Sequence, residues 1–140
     1  MKRRASVLIL AILLAPGLLG FAQDIDKKEA AEAVAGNWLN LVDSGAYAQS
    51  WEEAASGFKA AVTRPQWEQA MRANRALLGA VQSRKSMAAS YATQLPGAPD
   101  GEYVVIQYDT SFEHKKTAIE TVTPTRDKDG KWRVSGYYIK

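Results

Sequence analysis

EYVVIQYDTSFEHKKTAIETVTPTRDKDGKWRVSGYYI, residues 102–139, alternates apolar and polar side chains in three runs: Glu102 to Phe112, Thr117 to Thr125 and Lys131 to Ile139. Alternation sends every second side chain to the same face, which is the signature of half-buried strands. His114-Lys115 and Asp127-Lys128-Asp129-Gly130 separate the runs. Connections this short force neighbouring strands to lie antiparallel. A weaker strand is predicted from Arg84 to Tyr91, linked onward by Leu95-Pro96-Gly97-Ala98-Pro99-Asp100-Gly101. The two prolines of that loop remove ladder donors and its glycines favour turns.

Upstream the period changes to that of helices. Asp26 and Glu29 form a reciprocal start signal, after which Ala31, Val34, Ala35, Trp38, Leu41 and Val42 recur on one face until Asp43-Ser44-Gly45. A second helix is predicted from Tyr47 to about Ala55 around Trp51. A third starts at Thr63, with Pro65 tolerated in its first turn, and stops at Gly79. Its apolar face is read as Trp67, Ala70, Met71, Asn74, Leu77 and Leu78. The chain is therefore expected to be an α+β domain, with N-terminal helices packed on one face of a curved four-stranded antiparallel sheet.

Strand register decides which side chains meet. Pairing Glu113 with Lys116, and Arg126 with Lys131, places Asp109 opposite Glu120 and Ile119 opposite Tyr138. On that register Ile106, Tyr108, Phe112, Ile119, Trp132, Val134 and Tyr138 receive the helices. Gln107, Asp109, Glu120, Arg133, Ser135 and Tyr137 lie on the outer face, turned to water or a partner. A slip of one residue would exchange the faces, gathering Asp109, Glu120, Arg84 and Tyr137 into a buried polar cluster.

At the N-terminus Lys2, Arg3 and Arg4 precede an apolar run from Ala5 to Leu19, and small residues favour a cut between Ala22 and Gln23. Residues 1–22 read as a secretory signal peptide, and Pro16-Gly17 interrupts the run, so no stable membrane span is expected after cleavage. The expected compartment is the periplasm or the secreted fraction. Without Lys2, Arg3 and Arg4 the 18 Lys and Arg fall to 15 against 15 Asp and Glu. This neutral balance argues against nucleic-acid binding and does not oppose a homodimer through the sheet faces. The chain has no cysteine, which excludes disulfides, thiol catalysis and the lipid-modified cysteine of lipoproteins.

The order of elements resembles the cystatin-like and nuclear-transport-factor-2-like folds. More specifically, the chain resembles the bacterial secreted family catalogued as domain of unknown function 4019. The residues that carry this are Trp38-Leu39, Asp43-Ser44-Gly45, Tyr47, Ser50-Trp51, Trp67, Leu78-Gly79 and Ser83-Arg84. Leu95 to Tyr103, Glu120-Thr121-Val122 and Asp129 to Ile139 add to them. The resemblance implies a fold and an exported address, and no activity.

Candidate chemistry is sparse. The single histidine, His114, sits in a turn and reads as solvated, and a histidine-based metal site needs two or more converging ligands, so one turn histidine with exposed carboxylates would recruit metal only weakly. Asp127-Lys128-Asp129-Gly130 opens like a calcium loop, but Lys131 and Tyr138 stand where ligands belong, so it reads as a turn with Gly130 at positive φ. Neither a metal nor a cofactor is expected. Asp109 or Glu120 is the only candidate base, for a cofactor-free isomerase or hydro-lyase using a tyrosine as hydrogen-bond donor. Arg84 is placed either to bind a carboxylate ligand or to tie down Asp109 or Glu120. Trp38, Trp51 and Trp67 read as core, and Tyr137 is the ring least explained by packing. The favoured expectation is a non-catalytic binding module. Its partner is a protein on the outer sheet face near Gln107, Arg133 and Tyr137, or a small apolar ligand between helices and sheet.

Overall fold

The computed structural model describes residues 16–140, so the basic and apolar start of the expected signal peptide, residues 1–15, lies outside the described residues. Four helices, α1 (Pro16–Asp43), α2 (Tyr47–Glu52), α3 (Ser56–Ala61) and α4 (Arg64–Leu78), precede four strands, β1 (Val81–Ala92), β2 (Tyr103–Phe112), β3 (Lys115–Arg126) and β4 (Trp132–Ile139). The strands form one antiparallel sheet in chain order, β1-β2-β3-β4. The fold is α+β, with α1 lying across all four strands. None of the described helices is long and apolar enough to cross a membrane.

Helix boundaries follow local chemistry. At the start of α4, Thr63 caps through its hydroxyl, which accepts from the Gln66 N–H, while the Gln66 side chain accepts from the Thr63 N–H. Gly79 ends the helix at φ 75°. Among the described residues α1 is already helical at Pro16, ten residues before the expected start at Asp26. Leu, Ala and Gln between the two positions favour helix. The second helix ends at Glu52, short of Ala55, and α3 was not expected: the Ala55 N–H leaves the helix to bond the Val134 carbonyl of β4 at 2.8 Å.

The core lies between α1 and the sheet. Ala31, Ala35, Trp38, Leu39 and Val42 of α1 meet Val104, Ile106 and Tyr108 of β2, Val122 of β3 and Val134 of β4. Trp67 of α4 packs on Trp38 at 5.7 Å between ring centroids and edge-on to Phe58 at 5.0 Å. Both indole N–H groups find buried acceptors on Ser50: that of Trp38 its carbonyl at 2.8 Å, that of Trp67 its hydroxyl at 2.9 Å. The buried face of α4 is Trp67, Met71 and Arg75, spaced four apart. Leu77, expected in the core, is 76% exposed, and Ala70 and Asn74 also face out. An arginine on the inner stripe rotates that face away from the one its aliphatic residues outline.

Both expected hairpin registers are corrected. At the first turn Phe112 pairs with Lys115, and Thr110 then pairs with Ala118 and Tyr108 with Glu120. The tip is held from outside the hairpin, because the Glu113 and His114 N–H groups bond the carbonyls of Ala80 and Leu78, each at 2.8 Å. At the second turn Arg126 pairs with Trp132, and the register shifts again between Thr123 and Pro124. Pro124 has no N–H to give the ladder, and the extra residue on β4, Ser135, donates its hydroxyl to the Thr123 carbonyl at 2.8 Å. Ile106, Tyr108, Phe112, Trp132 and Val134 stay on the helix side as expected. Glu120 and Tyr137 join them, while Ile119 and Tyr138 turn to the other face.

Candidate functional site

A polar row crosses the inner face of the sheet. Arg84 on β1 lies opposite Thr110 on β2. Glu120 on β3 is fully buried, and Tyr137 on β4 is half-buried. Glu120 Oε1 accepts from Arg84 Nε at 2.7 Å and from the Thr110 hydroxyl at 2.5 Å. Its Oε2 accepts from Arg84 Nη2 at 3.2 Å and from the Tyr137 hydroxyl. From above, Asp43 at the last position of α1 receives the far edge of the same guanidinium, Nη1 at 2.6 Å and Nη2 at 3.0 Å, and Arg75 of α4 at 2.9 Å. Two guanidinium groups thus face two carboxylates, and their charges balance. Arg75 Nη1 is buried without a hydrogen-bond partner, but its guanidinium lies 5.1 Å above the Phe112 ring.

Burial opposes charge on Arg84, yet its hydrogen bonds to Asp43 and Glu120 outweigh it and raise its pKa. Burial likewise disfavours the Asp43 carboxylate, and the bonds from Arg84 and Arg75 more than compensate, holding its pKa below the ordinary 3.8. Tyr137 is pushed well above 10, first by burial and then by the adjacent Glu120 charge. It therefore stays a hydroxyl donor.

The sequence candidates separate accordingly. Glu120, Arg84 and Tyr137 come together, whereas Asp109 does not join them. It faces Ile119 on β3 and Lys85 on β1, exposed on the outer face, so the expected Asp109–Glu120 pair does not exist. Gln107 is exposed on that same outer face. Arg133 is engaged near the last turn by Asp127 at 3.2 Å and Asp129 at 2.8 Å. Asp43, Arg75 and Thr110 were missed. Arg75 was open to detection, since it continues the four-residue spacing of Trp67 and Met71. Asp43 was too, because an acid at a helix C-terminus opposes the macrodipole and calls for a cation.

The arrangement resists acid–base work. Four donors occupy the two Glu120 oxygens, and the side chain has no solvent contact. A general base needs a substrate proton within hydrogen-bond reach. Tyr137 marks the boundary of the row: its ring packs edge-on against Trp38 at 5.3 Å, and its outer side borders a groove of about 460 Å³ between α4 and the end of β4. Met71, Leu77, Leu78 and Ile139 make this groove largely apolar, Lys115 and Lys140 bring positive charge, and no carboxylate side chain lines it.

No curated protein and no solved structure matches the chain. Residues 34–137, which carry the buried row and most of the groove, match the family described as protein of unknown function (DUF4019), and the chain belongs to that family.

Proposed function

We propose that the protein is an exported, non-catalytic binding module whose ligand occupies the groove between α4 and the end of β4. The observation that carries this is the division of labour around Tyr137. On its inner side both Glu120 oxygens are occupied by donors of the fold, and on its outer side lies an open groove with an apolar lining and two lysines. Its volume falls in the usual range of ligand sites, which combine apolar walls with a few polar anchors. Leu77, 76% exposed at the end of a helix whose other large apolar residues are covered, contributes apolar area to the ligand rather than to the core. The address rests on the N-terminal sequence, Lys2-Arg3-Arg4 followed by an apolar run.

The test is native mass spectrometry of the chain produced with its own first 22 residues and recovered from the periplasm of a Gram-negative host. The expected polypeptide begins at Gln23 and carries extra mass that denaturation releases and that Leu77→Asp lacks. Retention of residues 1–22 would overturn the address. A bare mass for both wild type and variant, with no uptake of added amphiphile or peptide, would overturn the binding reading.

A further inference from the structure

Resting on that reading, we infer that the occupant of the groove is an extended peptide segment, which adds as a fifth strand to the free edge of β4. The ladder between β3 and β4 fixes which main-chain groups are free. Ile119 and Lys140 exchange both hydrogen bonds, at 3.0 and 2.9 Å. Antiparallel pairs alternate between bonded and non-bonded, so on the observed register Tyr138 bonds Thr121, whereas Ile139 and Tyr137 point their N–H and C=O groups away from β3. Tyr137, Tyr138, Ile139 and Lys140 of this stretch line the groove.

The other half of the same edge shows what a covered edge looks like in this molecule. There the Val134 carbonyl accepts from the Ala55 N–H at 2.8 Å, so the turn between α2 and α3 blocks β4 at its start and leaves its end open. An open edge with apolar surroundings is an invitation to strand addition, in which main-chain bonds supply affinity and alternate side chains supply specificity.

Charge and pattern define the segment. One face of an added strand meets Met71, Leu77 and Leu78 of α4, and the other runs beside Tyr138, which is 58% exposed. Apolar residues at every second position satisfy the first face. Lys115 and Lys140 stand at the end of the sheet where β4 finishes, and no carboxylate side chain lines the groove. A segment antiparallel to β4 begins at that end, so its acidic residue is N-terminal to the apolar alternation.

The test is selection of displayed random heptapeptides on the exported chain, followed by binding and amide hydrogen exchange with the recovered sequence. The expected peptides carry Asp or Glu before alternating apolar residues, and exchange at the Tyr137 and Ile139 amides slows at least tenfold on binding. Methylation of the peptide's edge-facing nitrogens, Leu77→Asp, or Lys115→Glu with Lys140→Glu each weakens binding at least tenfold. Circular dichroism of the variants confirms that they fold. Recovered peptides indifferent to nitrogen methylation, or leaving both amides unprotected, would refute strand addition. Failure to recover peptides, with dansyl-undecanoate bound by wild type and not by Leu77→Asp, overturns the peptide and keeps the groove as a binding site. If neither peptide nor dansyl-undecanoate binds, both readings fall.

Discussion

Glu120 is the residue on which the interior turns. A carboxylate with no solvent contact is tolerated because Arg84, Thr110 and Tyr137 donate to it, and Arg84 is itself shared with Asp43. Removing one partner of such a pair leaves an uncompensated buried charge, so Glu120→Ala is expected to destabilise the fold by about 3–5 kcal/mol in urea unfolding. Tyr137→Phe keeps the ring on Trp38 and deletes one donor, for an expected loss of about 1–3 kcal/mol. Because the hydroxyl acts through Glu120, its deletion should cost less in a Glu120→Gln background. A double-mutant cycle with equal losses in both backgrounds would contradict that coupling. In sequence Glu120 was legible as a candidate carboxylate and Tyr137 as a ring without a packing role. Their place on the helix side of the sheet was not, since it hangs on one-residue shifts at two hairpins.

At the scale of elements, the junction between helices and sheet is set where α4 ends. Gly79 adopts φ 75°, and a Cβ built there would stand 2.8 Å from the Glu113 Cβ. The chain on either side of it receives the hairpin tip that sets the register of β2 on β3. Gly79→Ala is therefore expected to cost more than about 1 kcal/mol, combining left-handed strain with a clash. Gly57→Ala, in open space within α3 and without positive φ, serves as control and should be neutral or slightly stabilising. Equal stability of the two variants in urea would show that the junction does not need its glycine. Most elements were legible from period and punctuation, including the ends of α1 and α4 and all four strands. The short α3 was not, because a backbone bond to a strand about 80 residues later terminates α2 and starts it anew.

For the whole molecule, the buried row ties α1, α4 and all four strands into one electrostatic unit, which sets the pH range of stability. The folded pKa of Asp43 lies below 3.8, so its contribution is complete above 3.8 and is lost as pH falls through the folded value. The folded pKa of Tyr137 lies above 10, so stability holds below 10 and declines as pH rises beyond it, where the unfolded chain ionises and the folded one resists. Thermal unfolding followed across pH should give a plateau between about 4 and 10 with a fall at each end. Tyr137→Phe should blunt the alkaline fall, and an unchanged alkaline limb would assign it to other groups. Tyr108, raised to about 12 chiefly by burial, adds to the same limb.

Local chemistry determined, from the sequence alone, the α+β class, the strand count, the tryptophan core and the family resemblance. Alternation, helical spacing, capping residues and turn glycines act over a few residues and need no distant partner. Tertiary structure alone decided which face Glu120 and Tyr137 take, that Arg75 rather than Leu77 points inward, and which half of the β4 edge remains open. Each of those outcomes depends on a contact between segments far apart in the chain: the hairpin tip on the end of α4, Arg75 on Asp43, and Ala55 on Val134. A one-residue difference in register costs little locally, yet it exchanges the inside and the outside of a strand.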